Sequence, residues 1–122
     1  MIAERRSIRE DEIEVIRATL ERAGVQAVMA SAATSIHGLA VVGRCECGCA
    51  SVDFDATHSE ERSVPVGDGI GKTPRGGQVG VIVWGRADAI TGLEIYDLGA
   101  GDDDLVLPDP DSIVSWDRAG AG

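Results

Sequence analysis

Ile13, Ile16 and Leu20 recur three and four residues apart, an apolar stripe for one side of a helix whose wet side carries Glu12, Glu14 and Glu21. Ser7 followed at the third position by Glu10 has the form of a capping box. The helix is therefore predicted to begin at Ser7, with Glu10, Asp11 and Glu12 at the positive end of its dipole. Arg22 and Gly24 supply its stop. The Ala-rich run 25–33, with Val28 and Met29, predicts a second, shorter helix.

From Ile36 the period changes to two. Leu39, Val41 and Gly43 alternate with Ala40, Val42 and Arg44, which predicts a strand over 38–45. A second strand is predicted over 50–55, where Val52 and Phe54 alternate with Ser51, Asp53 and Asp55. Cys47 and Gly48 would form the turn between them. The stretch 56–77 mixes charge, Pro65, Pro74 and repeated glycine, and reads as one long loop. Val79, Val81 and Val83 then mark a third strand over 78–85, and Leu93 and Ile95 point inward from a fourth over 90–98. A short edge strand is expected at 105–107. Asp109 before Pro110 suits a helix N-cap followed by proline in the first helical position, so one helical turn carrying Ile113 and Trp116 would close the core. The tail 117–122 is expected to fray. Together these elements predict an α+β fold in a single domain over 1–122. Two N-terminal helices pack on one face of an antiparallel meander of four to five strands, and a short helical turn ends it.

Composition changes this picture mainly at the surface. Hydrophobic residues make up 43% of the 122 residues, enough for a core, but aromatics are only 3%, so that core must be built from Val, Ile, Leu and Ala. The net charge of −10 opposes binding to phosphate backbones and anionic lipid, since the arginines at Arg5, Arg6 and Arg9 are offset by Glu4, Glu10, Asp11 and Glu12. Nucleic acid is excluded as a partner on this ground, and a basic protein or a cation is the sharper alternative to acidity serving solubility alone. No apolar run reaches the roughly 18 residues that span a bilayer, and the first residues lack the apolar stretch of a signal peptide. The expectation is a cytoplasmic protein with no membrane association.

Several stretches resemble sites of chemistry. Gly67-Asp68-Gly69-Ile70-Gly71-Lys72-Thr73 ends like a phosphate-binding loop, but Val66 stands where its first glycine belongs, and Pro74, Gly76 and Gly77 follow where a helix must start. Cys45, Cys47 and Cys49 lie within five positions, with His58 beyond them and His37 before. Closely spaced thiolates completed by imidazole suit tetrahedral zinc, although the spacing is not that of the common knuckles and a fourth ligand such as His58 would be needed. Small residues around a tight turn are the plainer account, and thiol reactivity based on His58 or His37 a third. No cofactor is required by the pattern, zinc being the option. Asp102, Asp103 and Asp104, with Asp109 and Asp111, lack the ligand spacing of a calcium loop. No serine stands in a nucleophile elbow, so an enzyme has no constellation to support it.

The stretch Arg44-Cys45-Glu46-Cys47-Gly48-Cys49-Ala50-Ser51-Val52-Asp53-Phe54, after an N-terminal helix and before Leu93-Glu94-Ile95-Tyr96 and Leu107-Pro108-Asp109-Pro110, resembles a family of small uncharacterised bacterial proteins with a Cys-x-Cys-Gly-Cys hairpin. That resemblance implies a bacterial cytoplasmic setting and an α+β fold, and no active site. The leading functional expectation comes from alternation instead. Trp84 and Tyr96 fall opposite the core face of the third and fourth strands, where outward aromatics suit an interface with another protein or a second copy. The expected function is a non-enzymatic binding domain. A metal-binding or thiol-reactive domain centred on Cys45, Cys47 and Cys49 is the alternative, and an enzyme the third.

Overall fold

The computed structural model describes residues 2–24, 36–44, 50–55, 62–86, 89–99 and 105–116. They form strand β1 (Ile2–Ser7), helix α1 (Glu10–Arg22), and strands β2 (Ala40–Arg44), β3 (Val52–Phe54), β4 (Val64–Lys72), β5 (Gln78–Arg86), β6 (Ala89–Asp97) and β7 (Val114–Ser115). Single 3₁₀ turns stand at Ile36–Gly38 and Pro110–Ser112. All strands join one antiparallel seven-stranded sheet in the order β1-β2-β3-β6-β5-β4-β7. The described fold is therefore mostly β, with one α-helix. This corrects the expected α+β arrangement of two helices on a four- to five-stranded meander. The predicted second helix over 25–33 lies outside the described residues.

Three particular differences have physical causes. The chain before the helix is a strand, with Ile2 opposite Arg44 and Ser7 opposite Ala40, and the helix starts at Glu10 rather than at Ser7. The reciprocal contact at its start comes from Glu12, which accepts from the Arg9 backbone N–H at 2.8 Å. Helix α1 ends at Arg22 as read, with Gly24 in the left-handed region at φ 73°. The second difference lies in the expected long loop, of which Val64–Lys72 is strand β4, paired with β5 from Val64↔Gly85 to Lys72↔Gln78. Third, residues 105–107 are not a strand, and the edge strand is Val114–Ser115, paired with Gly69 and Ile70.

Inside, Val79, Val81 and Val83 are fully buried and meet Leu93 and Ile95 of β6, with Ile13, Ile16 and Leu20 of α1 in the same core. On β4 the inward positions are Gly67, Gly69 and Gly71, opposite those three valines. A Cβ at Gly69 would stand 2.8 Å from the Val114 carbonyl oxygen, and one at Gly71 2.7 Å from Pro108 Cβ. The helix and the segment 105–115 thus lie directly on the β4 backbone. Ile113 enters the core at 1% exposure, whereas Trp116 is 36% exposed, so it does not close the core as expected.

Glu12 is the one carboxylate buried in α1. Arg6 holds it with two hydrogen bonds, of 2.9 and 2.8 Å, while the Arg9 amide supplies a third. Burial alone would raise its pKa, but those three donors and the two guanidinium charges outweigh burial and lower it.

Candidate functional site

Alternation that turns Val81, Val83, Leu93 and Ile95 toward the helix turns their neighbours the other way, so the opposite face of the sheet is built in rungs across the strands. One rung runs Asp53 on β3, Gly92 on β6, Trp84 on β5 and Pro65 on β4. The next runs Glu94, Ile82 and Asp68, and the third Tyr96, Gly80 and Ile70. Trp84 and Glu94 are diagonal neighbours, and the indole N–H donates to Glu94 Oε1 at 3.1 Å. The indole is thereby fixed across the sheet by a charge-assisted bond.

Tyr96 lies flat in the other direction. A Cβ on its cross-strand partner Gly80 would fall inside the phenol ring, so the ring rests on the bare backbone of β5. Its hydroxyl accepts a hydrogen bond from Trp116. Burial pushes the phenol pKa above 10.0; the Trp116 bond pulls the other way, and the carboxylates of Asp68 and Glu94 push it up further. On the same face Ser51, just before β3, ties the chain to β6 by accepting from the Ile95 amide at 2.8 Å and donating to its carbonyl at 3.2 Å.

Trp84, Glu94, Tyr96, Asp53 and Gly92 border a concave surface of about 600 Å³. Gly92, on its floor, is itself buried, and a hypothetical Cβ there would make ordinary contacts with Asp53 Oδ1 at 3.4 Å, the Val52 carbonyl oxygen at 3.5 Å and Trp84 Cβ at 3.6 Å. No lysine, arginine or histidine is among the described residues that line it. A second depression beside α1 carries Arg6 and Arg9, but these guanidinium groups are bonded to Glu12 and Asp11 and hold the helix start.

Of the residues singled out from the sequence, Trp84 and Tyr96 both border this concave surface, on either side of Glu94. Of the described closing residues, Pro108, Ile113 and Val114 approach β4 from the helix side, Leu105 borders the concave surface, and Trp116 reaches the Tyr96 hydroxyl. Cys45, Cys47, Cys49 and His58 lie outside the described residues, as do Asp102, Asp103 and Asp104. The Arg17 guanidinium lies 2.8 Å from His37 Nε2, which joins α1 to the 3₁₀ turn at Ile36–Gly38. Asp109 caps the 3₁₀ turn through Oδ1 and the Asp111 amide at 3.0 Å. The Gly-Lys-Thr stretch ends a strand, and Thr73 closes the hairpin to Gly77 with its amide, at 2.8 Å, and its hydroxyl. It forms no anion cradle.

Sequence reasoning did not single out Gly92, Asp53 or Glu94 as parts of a surface. The signal was there in part, because Asp53 and Glu94 occupy polar positions of alternating strands and a glycine within a strand marks a close approach or a gap. Their convergence depends on β3 pairing with β6, a contact between strands far apart in the chain. Among the described residues no helix is long and apolar enough to cross a membrane. Comparison with known protein families, with curated proteins and with solved structures gives no significant match for this chain.

Proposed function

We propose that this protein is a binding domain that works without catalysis, through the outer face of its sheet around Trp84 and Tyr96. The observation that carries this reading is the pair of partly exposed aromatic side chains, each fixed by a partner, bordering a concave surface of about 600 Å³ on the face away from the helix. Rigid aromatics lose little entropy on binding and bring large contact areas, so they are favoured where a partner docks. The polar groups around them support binding over chemistry. Glu94 is occupied by the Trp84 indole, Ser51 by the Ile95 backbone and Thr91 by Ser63, so none of these forms a nucleophile–base pair.

The test is a titration of ¹⁵N-labelled protein with a library of small fragments and short peptides of varied charge. Shift changes gathered at Trp84, Gly92, Glu94 and Tyr96, and lost in Trp84→Ala, would support the reading. Changes gathered on the helix side, or none with any ligand, would overturn it.

A further inference from the structure

The charge and shape of this face narrow the partner. Asp53 and Glu94 border the concavity, Asp68 stands on the same face beside Ile82, and no basic side chain is among its described lining residues. Strands repeat about every 4.8 Å, so Asp53 and Trp84, one strand to either side of Gly92, are separated by about 9–10 Å at the backbone. Their side chains lean toward each other over Gly92, Asp53 Oδ1 and Trp84 Cβ coming within 3.4 and 3.6 Å of the place a Gly92 Cβ would take. A flat guanidinium or a slim ammonium stem would therefore lie along the outer rim of this rung, with a carboxylate on one side and an indole on the other. The indole is suited to the task because it is held in place by its bond to Glu94 while partly exposed, and an indole face attracts cations.

Resting on the reading of this face as a binding surface, we propose that it takes an arginine or lysine side chain from a basic segment of a partner protein, seated above Gly92 between Asp53 and Trp84. Charge complementarity selects this occupant over the others. A second copy meeting face to face would set the same carboxylates against each other, and the net charge of −10 adds to the repulsion. Nucleic acid and anionic membrane are repelled for the same reason. The raised pKa of Tyr96, to which Asp68 and Glu94 both contribute, agrees with a negative potential over this part of the sheet.

The experiment compares three blocked pentapeptides, Gly-Arg-Gly-Arg-Gly, the same peptide with citrulline for arginine, and Gly-Glu-Gly-Glu-Gly, against the full chain by ¹⁵N shift titration. The arginine peptide is expected to move the Trp84 indole, Gly92 and Glu94 resonances and to weaken with added salt. The citrulline peptide is expected to bind about tenfold more weakly, the loss of one cation contact. Glu94→Gln and Asp53→Asn should each weaken the arginine peptide, whereas Glu14→Gln, an equal charge change on the exposed side of α1, should not. Equal binding by all three variants would show diffuse charge attraction and overturn the proposal. Preference for the citrulline or glutamate peptide at this face would overturn it while leaving the binding surface in place. Concentration-dependent dimers that shift the same resonances would assign the face to a second copy, and silence toward every peptide and fragment would remove both readings.

Discussion

The Tyr96 ring rests on Gly80, its partner across the β5–β6 ladder, at a position where any side chain would occupy the ring's own space. Gly80→Ala should therefore force the ring off the sheet and cost about 1–3 kcal/mol, as overpacking does. If the ring is the cause, the same substitution in a Tyr96→Ala background should cost far less, and the double-mutant cycle should return a coupling of about 1 kcal/mol or more. Urea denaturation of the four proteins measures it; additive losses would mean that Gly80 is needed for the backbone itself.

Tyr96 is the single tyrosine of the chain, so its ionisation can be followed directly by ultraviolet absorbance. The phenol should titrate above 10.0 in the folded protein, chiefly because it is partly buried. Trp116→Phe removes the donor that favours the phenolate and should raise the pKa further, while Asp68→Asn should lower it. Since the folded state holds this proton more tightly than the unfolded chain, Tyr96 stabilises the fold below about pH 10, and that contribution is lost as pH rises from there through the folded pKa. A phenol titrating at the free value in all three proteins would contradict the packing described.

The parts of this fold that could be read from the chain are those in which inward positions are filled by apolar side chains. Leu39 and Val41, Val52 and Phe54, Val79, Val81 and Val83, and Leu93 and Ile95 gave β2, β3, β5 and β6 nearly their observed bounds. β4 was hidden because its inward positions are Gly67, Gly69 and Gly71; a Cβ would press on the Leu20 side chain at Gly67 and clash outright at Gly69 and Gly71. The alternation is present there as glycine against everything else. β1 was hidden by charge: Arg5 and Arg6 suit an edge strand, which gains from repelling further pairing, but they do not look like one. Trp84 and Tyr96 followed from alternation within their own strands, whereas Asp53 and Gly92 joined them only through long-range pairing, which periodicity does not encode.

Glu12 ties β1 to α1 through Arg6, and its removal should be felt in both elements. Glu12→Gln keeps the shape but gives up the charge-assisted bonds, for a loss of about 2 kcal/mol, since Arg6 retains some solvent contact. The pKa of Glu12 is lowered in the folded state, so its stabilisation is complete above the ordinary value of 4.5 and is lost as pH falls through the lower folded value. Thermal melts from pH 7 to pH 3 should show a steeper acid decline in the parent than in Glu12→Gln. Parallel declines would assign the acid sensitivity to other carboxylates.

Glycines at three places in the sheet should respond to alanine in different ways, and the difference tests the assignment of the two faces. Gly69→Ala and Gly71→Ala would drive a methyl to 2.8 Å from the Val114 carbonyl oxygen and 2.7 Å from Pro108, so each should cost about 1–3 kcal/mol. Gly69 should be the worse, because the group it meets is backbone held in the β4–β7 ladder and cannot turn aside. Gly92→Ala meets nothing closer than Asp53 Oδ1 at 3.4 Å, and reducing the freedom of the unfolded chain should leave stability unchanged or raise it by about 0.5 kcal/mol. The same methyl stands on the floor between Asp53 and Trp84, where the proposed cationic side chain would lie. A Gly92→Ala protein that melts like the parent but binds the arginine peptide less tightly would separate the binding surface from the fold. Unchanged binding would place the peptide elsewhere on the molecule.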